Sequence, residues 1–388
     1  MNTMNTYSVI MLGPRGSGKT VFLASMHKKL STQGKLDFFL KVDGEEKRKY
    51  LNKINKELVF GEKWPSATQM SELSEWEFTC RVQAKDLLIY NACKFVYLDY
   101  AGDRVNTEMG EEDEEFNEQI RRADIMLILL DGQKLCSLMR REKFGLEWLT
   151  DDLPNLLNVA QNIQNKPLHF VISKWDIIEP HYNLQEIRNV LFQEESFGNI
   201  VRKRNEANKP IRLIPVSSVG KGFAKLEDNI MIKNVGVLPK PFQVEVPLAC
   251  ILPDIIQEQV DELIERIRQE EDKIKGIEIK PELNRKEKLG RFFGSIGAGI
   301  KKIQESLPEK YKFGENLVED FIEFVEKPAK EKEAEAYKRV EELRAKQQEY
   351  ISKVVDEETA LKSVVASFQS IENRLNIDFP ESDLSKVL

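Results

Sequence analysis

The stretch Gly13-Pro14-Arg15-Gly16-Ser17-Gly18-Lys19-Thr20 constrains this chain more than any other. It follows a short apolar run, Tyr7 to Leu12, that reads as a strand, and it precedes Val21, Leu23, Ala24, Met26, His27 and Leu30, a helical pattern. The spacing G-x-x-x-x-G-K-[ST] describes a loop whose glycines let successive backbone N–H groups turn inward around anionic oxygens. Gly13, Gly16, Ser17 and Gly18 would form that cradle, with Arg15 at its outer turn. Lys19 would reach the β- and γ-phosphates of a nucleotide, and the Thr20 hydroxyl would ligate Mg²⁺. A helix starting near Lys19 adds the positive end of its dipole. An α/β chain with a mostly parallel sheet is therefore expected around this loop.

Two further apolar runs end in polar motifs. Lys94-Phe95-Val96-Tyr97-Leu98 leads into Asp99-Tyr100-Ala101-Gly102, a D-x-x-G in which Asp99 would hold Mg²⁺ and the Gly102 N–H would face the γ-phosphate. His169-Phe170-Val171-Ile172 leads into Ser173-Lys174-Trp175-Asp176. There a carboxylate on Asp176 would accept from the N1–H and 2-amino group of guanine, and the Lys174 stem would cover one face of the base. Adenine offers no matching donor pair, so it would leave the acceptor unpaired. A last strand-like run, Ile211 to Val216, enters Ser217-Ser218, a loop suited to closing over the base.

In this order, the motifs over residues 7 to about 225 resemble the G domain of the Ras-like and translation-factor class of P-loop GTPases. The resemblance implies GTP and GDP as ligands, Mg²⁺ as cofactor, and sites at the carboxyl ends of the strands. Ser173 stands where the family has Asn or Thr. The switch I threonine implied by the family is assigned to Thr68, in Trp64-Pro65-Ser66-Ala67-Thr68, with Ser66 as the alternative. Asp103-Arg104 replaces the water-orienting Gln that many relatives carry after D-x-A-G. Two ways of assisting hydrolysis follow: Asp103 orienting water, and Arg15 leaning over the phosphates. The bland reading of Arg15 is an exposed side chain without a catalytic part. Slow turnover fits either case. The Trp-Pro-x-Ala-Thr and Asp-Tyr-Ala-Gly stretches together look most like prokaryotic double-GTPase-like proteins, a resemblance that implies conflict or defence roles.

A chain of 388 residues leaves about 160 beyond such a domain. The sequence reading divides it into a G domain over 1–235, a proline-rich linker over 236–253 with extended runs, and a helical region over 254–388. A net charge of −7 gives no global basis for nucleic-acid binding. Four cysteines without paired spacing and three isolated histidines suggest no zinc constellation and a reduced, cytoplasmic setting. Neither a signal peptide nor a spanning helix is expected.

Within the C-terminal region, Val340, Leu343, Gln347, Tyr350, Val354, Glu357, Leu361, Val364, Phe368, Ile371 and Leu375 alternate three and four apart. This predicts one coiled-coil-like helix over 332–376, paired with a helix over 254–276, with another subunit or protein partner, or simply with the core. Segment 285–307 is basic and amphipathic, with Leu289, Phe292, Phe293, Ile296, Ile300 and Ile303 on one face, yet rich in glycine. It fits peripheral membrane contact, a protein partner, ordinary burial or disorder. Two readings compete with a GTP switch: a dynamin-like membrane GTPase, whose P-loop interior Gly16 does not match, and a nucleotide-binding scaffold that does not hydrolyse. The lipid reading predicts that Phe292→Asp with Ile296→Asp abolishes co-sedimentation with anionic liposomes while nucleotide affinity is kept; loss of folded protein instead would identify a core segment.

Overall fold

The computed structural model describes residues 4–66, 74–99, 114–162, 166–227, 229–234, 236–262, 301, 305 and 333–386. Thr68, Gly102, Asp103 and segment 285–307, apart from Lys301 and Glu305, lie outside the described residues. Strand β1 (Thr6–Leu12) passes through the glycine-rich loop into helix α1 (Lys19–Lys29), followed by β2 (Phe39–Val42), α2 (Glu45–Phe60), β3 (Ser74–Gln83) and β4 (Ile89–Asp99). Next come α3 (Glu114–Arg122), β5 (Ile125–Leu130), α4 (Gly132–Met139), α5 (Lys143–Thr150), α6 (Asp152–Asn162) and β6 (Leu168–Ile172). Helices α7 (Trp175–Ile178), α8 (Leu184–Leu191) and α9 (Glu195–Glu206) lead to β7 (Ile211–Pro215) and a hairpin of β8 (Ala224–Glu227) and β9 (Ile230–Lys233). The described remainder is helical: α10 (Val246–Ala249), α11 (251–262), α12 (Glu333–Ser352) and α13 (Glu357–Asp378).

Seven strands form one sheet in the order β2-β3-β4-β1-β5-β6-β7. Strands β4, β1, β5, β6 and β7 are mutually parallel, whereas β3 runs antiparallel to both β2 and β4. Parallel strands are covered on both faces, and their sequences show it: every residue of β5, Ile-Met-Leu-Ile-Leu-Leu, is buried. Alternation then sorts the side chains between two cores. Ile10, Leu12, Ile128 and Phe170 face α3 to α9, while Val9, Met11, Leu129 and Val171 face α1, α2, α10, α11 and α13.

Described parts of the segments read from the sequence as linker and helical region pack into this second core. Residues 248–252 are helical rather than extended, and Leu248, Ile251, Ile255 and Val260 are buried with the residues of β1 and α1. Pro247 read as a linker residue, but it occupies the first turn of α10, where its missing N–H is harmless. The expected single helix over 332–376 is also two helices. The chain breaks at 353–356, where the Asp356 side chain accepts from Thr359 N at 2.8 Å and caps α13 in a reciprocal box. The apolar seam is nevertheless buried at Val340, Leu343, Val354, Leu361, Val364 and Phe368. It is satisfied within the chain, α13 packing on α12, α10, β3 and β4. The Phe368 ring lies edge-on to Phe38 at 5.1 Å and tilted against Phe95 at 6.0 Å between centroids.

Two polar residues interrupt the buried strands. His169 in β6 and Arg212 in β7 are register partners facing α11 and α13. Asp254 of α11 receives Arg212 Nε at 2.6 Å and lies 2.6 Å from His169 Nε2, while Glu372 and Asn376 of α13 take the other guanidinium nitrogens. Burial alone would raise the Asp254 carboxyl, but Arg212 and His169 hold it below the usual range. Among the described residues no helix is long and apolar enough to cross a membrane.

If α13 belongs to the core, Phe368→Ala should lower unfolding stability by about 3–5 kcal/mol in urea denaturation. Val355→Ala, at a residue 68% exposed, should change it by less than about 0.5 kcal/mol.

Candidate nucleotide site

The carboxyl ends of β1, β4, β5, β6 and β7 line one edge of the sheet, where open α/β sheets place their ligands. In the loop after β1, Gly18 has φ +92° and forms the N-cap of α1, a left-handed conformation that side chains rarely adopt. A methyl group on Gly13 would meet Ser17 Oγ at 2.8 Å and the Leu129 carbonyl at 3.0 Å, so the loop lies directly on β5. Lys19 is buried and its Nζ donates to the Gly13 carbonyl at 2.7 Å. Gly16 and Arg15 are exposed at the outer turn, and Thr20 is half-buried one residue inside α1.

Asp99 ends β4 in the neighbouring strand, register partner of Met11. Burial pushes its carboxyl up to about 6, and the positive charge of Lys19 pulls the other way. Thus the sequence-assigned Lys19, Thr20 and Asp99 come together. Thr68, Gly102 and Asp103 lie outside the described residues; Ser66, the alternative to Thr68, is exposed. Asp99 Oδ1 and Ser17 Oγ are buried without a hydrogen-bond partner among the described residues. Such orphaned oxygens beside a lysine are what a Mg²⁺–phosphate group requires: a hard cation takes oxygen ligands, and the lysine balances phosphate. Here Thr20 and Asp99 would hold the metal and Lys19 the phosphates. Among the described residues no group of three or more His, Cys, Asp or Glu is arranged to bind a metal by itself.

The second half of the site is built around Asp176. Its Oδ1 accepts from the Ser217 hydroxyl at 2.5 Å, and Ser217 Oγ in turn accepts from Gly220 N at 2.7 Å. Asp176 Oδ2 is buried and has no partner among the described residues. Burial raises this carboxyl, with Ser217 opposing. Ser217 therefore orients the acidic residue instead of presenting its own hydroxyl; Ser218 beside it is half-buried. Ser173 turns its hydroxyl to the Leu130 carbonyl at 3.1 Å, tying its loop to β5. Lys174 is left-handed, at φ 54° and ψ 36°, a conformation that costs a non-glycine residue and persists where surroundings fix it. Asp131 does the fixing: both of its oxygens accept from Lys174 Nζ, at 2.8 and 2.9 Å.

Asp131 and Gly132 were not among the sequence-derived residues. Asp131 caps α4 by accepting from Gln133 N, and a methyl group on Gly132 would strike the Ser173 carbonyl at 2.1 Å. The available signal was an Asp-Gly pair directly after the all-apolar run Ile125 to Leu130, at the same end of the sheet as Asp99 and Ser173.

Residues 10–143 match the family described as Double-GTPase 1. With the phosphate loop and the Asp176 pocket on one sheet, the fold is that of a P-loop GTPase domain. Solved structures similar to this chain include the signal recognition particle receptor SRb-GTP/SRX complex of Chaetomium thermophilum, at 15% identity and TM-score 0.34, covering 57% of this chain and 94% of that one. Others are Aquifex aeolicus Era bound to GDP and AlF₄⁻, at 15% identity and TM-score 0.25 over 66% and 67%, and the S. cerevisiae Ski7 GTPase-like domain bound to GTP, at 14% and 0.30 over 61% and 48%. No curated protein matches the sequence.

The raised Asp99 carboxyl has a thermodynamic sign. Between its ordinary 3.8 and about 6 the folded state binds the proton that the unfolded state has released. Stability therefore falls as pH rises through that window, by about 3 kcal/mol at 1.36 kcal/mol per pH unit. In metal-free, nucleotide-free protein, Asp99→Asn should match wild type near pH 4 and exceed it by roughly that amount above pH 7, as read by denaturant unfolding.

Proposed function

We propose that this protein is a GTP-binding molecular switch that takes GTP and GDP with Mg²⁺, hydrolyses GTP slowly and passes its nucleotide state to the C-terminal helices. The observation that carries the guanine assignment is the buried, unpartnered Asp176 Oδ2, held in place through Oδ1 by Ser217. A carboxylate so oriented offers one fixed acceptor edge, and two adjacent donors of guanine would complete it. Adenine would leave that edge desolvated and unpaired, which selects against it. Lys19 and the backbone of Gly13, Gly16, Ser17 and Gly18 would hold the phosphates, with Thr20, Thr68 and Asp99 on the metal. Mg²⁺ supplies neutralisation of the charge that builds up on the β- and γ-oxygens.

Hydrolysis would rest on Lys19, Thr68, Gly102 and Asp103, with Arg15, exposed at the loop's outer turn, as a source of positive charge in cis. Without a glutamine after the D-x-x-G motif, turnover on the order of 10⁻³ per second is expected, the range of unassisted GTPases. Signalling to the helices is supported by what α13 touches. It packs on β3, which follows the Thr68 segment, and on β4, which ends at Asp99. A prokaryotic conflict or defence setting rests on the resemblance to double-GTPase proteins.

Fluorescent mant-GDP should bind in a Mg²⁺-dependent way, excess ATP should fail to displace it, and Lys19→Ala should remove binding. Asp176→Asn should turn preference towards xanthine nucleotides by at least about a hundredfold, because an amide donates to the oxygen that replaces the 2-amino group. Displacement by ATP as effective as by GDP would defeat the guanine assignment, and a complete lack of phosphate release in multiple turnover would leave a binding scaffold.

A further inference from the structure

The excursion between the base-side loop and α10 is fastened at both ends to that loop. Ser217 and Phe242 exchange backbone hydrogen bonds, at 3.0 Å from Ser217 N and 2.8 Å from Phe242 N. Lys240 N donates to the Val219 carbonyl at 2.7 Å. Gly220 lies so close beneath Lys240 that a methyl group would sit 1.9 Å from its carbonyl oxygen. From this closed base the chain runs into the β8–β9 hairpin. Its tip, Asn229, is held on one side by Gln133 of α4, which donates to the Asn229 carbonyl, and by Glu142, which accepts from Asn229 Nδ2 at 3.2 Å.

On the other side the hairpin grips the end of α2. Lys233 Nζ lies within hydrogen-bond distance of four backbone carbonyls, Glu57 at 2.9 Å, Leu58 at 3.3 Å, Gly61 at 2.9 Å and Lys63 at 2.8 Å, which its three N–H groups share. It also sits 5.3 Å from the centroid of the Trp64 ring. Trp64 Nε1 donates to the Met231 carbonyl at 2.7 Å, and the ring meets Phe223 edge-on at 6.0 Å. The last carbonyls of a helix have no partner within it and carry its negative dipole end. Helix α2 has no basic residue in its own last turn; Lys233 supplies that cation from 170 residues further along the chain, counted from Lys63.

We propose that Lys233 is a positioning residue of the switch, and that the β8–β9 hairpin is a strap coupling the base-side loop, Ser217 to Gly220, to the arm at the end of α2, Glu57 to Trp64. The inference rests on the reading of the Asp176 pocket as a guanine site. When the base engages Asp176, Ser217 is fixed through their shared hydrogen bond, and the closed base of the excursion transmits that ordering to the hairpin. A hairpin ordered at its base holds the lysine over the α2 carbonyls for a larger fraction of time. Base recognition and the entry to the switch region then stabilise one another, as linkage requires.

Hydrogen–deuterium exchange on the full chain, with and without saturating Mg²⁺–GDP, tests this. In wild type, GDP should slow exchange in 57–66 together with 13–20 and 173–176. In Lys233→Met, which keeps the aliphatic stem and removes the cation, 13–20 should remain protected while the slowing over 57–66 falls at least fivefold. Trp64→Phe, which removes the bond to Met231 and leaves a smaller ring beside Lys233 and Phe223, should weaken the same coupling in the same direction and guards against a poorly folding lysine variant. Wild-type protection of 13–20 with no change over 57–66 overturns the strap while sparing the guanine reading, as does full protection of 57–66 in folded Lys233→Met. Absence of GDP protection at 13–20 overturns the guanine reading and the strap with it.

Discussion

Arg212 cannot be buried alone. A guanidinium in the middle of a covered strand requires carboxylates at hydrogen-bond distance, since removing one partner of such a pair leaves an uncompensated charge in the interior. Asp254 from α11 and Glu372 from α13 meet this need, with His169 of the next strand as a further neighbour. Burial keeps the His169 imidazole below its usual basicity despite the aspartate, and it raises the Glu372 carboxyl against the pull of Arg212. Strands β6 and β7, whose carboxyl ends bear Asp176 and Ser217, are therefore registered at their other ends by helices from the C-terminal part of the chain. The pocket and the helices stand or fall as one packed body on this face of the sheet.

The conformation of the glycine-rich loop was legible in the sequence because its requirements are local: a turn with positive φ, a backbone close to β5, a cation at a fixed spacing. The strand ends that carry Asp99, Ser173, Lys174 and Asp176 were legible for a related reason, each closing an apolar run. Asp131 escaped because a lone Asp-Gly after a strand reads as an ordinary turn, and only tertiary proximity gives it Lys174. His169 and Arg212 were hidden inside runs counted as apolar, where two polar residues on one face do not disturb the strand pattern.

Helix boundaries in the C-terminal part show the limit of periodicity. The three-four alternation continues through Tyr350, Val354, Glu357 and Leu361 although the chain turns between α12 and α13. The phase survives because both helices face the same core. Asp356 and Thr359 carried the contrary signal, since an N-cap residue with a polar partner three positions on marks a helix start. Prolines between 239 and 253 misled in the other direction: Pro247 begins a helix instead of preventing one. Composition changes near residue 236 where packing does not: Leu248, Ile251 and Val260 are buried with the residues of β1 and α1.

Phe368 rests on Phe95 and Phe38, side chains more than two hundred residues earlier in the chain. This contact has a consequence for synthesis. Translation proceeds at about 5–20 residues per second, so β4 leaves the ribosome some tens of seconds before α13 exists to cover it. During that interval the part of the sheet face that α13 covers stays open, with Phe95 of β4 lacking its aromatic partner. A nascent chain of this kind depends on its surroundings, chaperone or crowded ribosome surface, in a way that a domain completed by its own next helix does not.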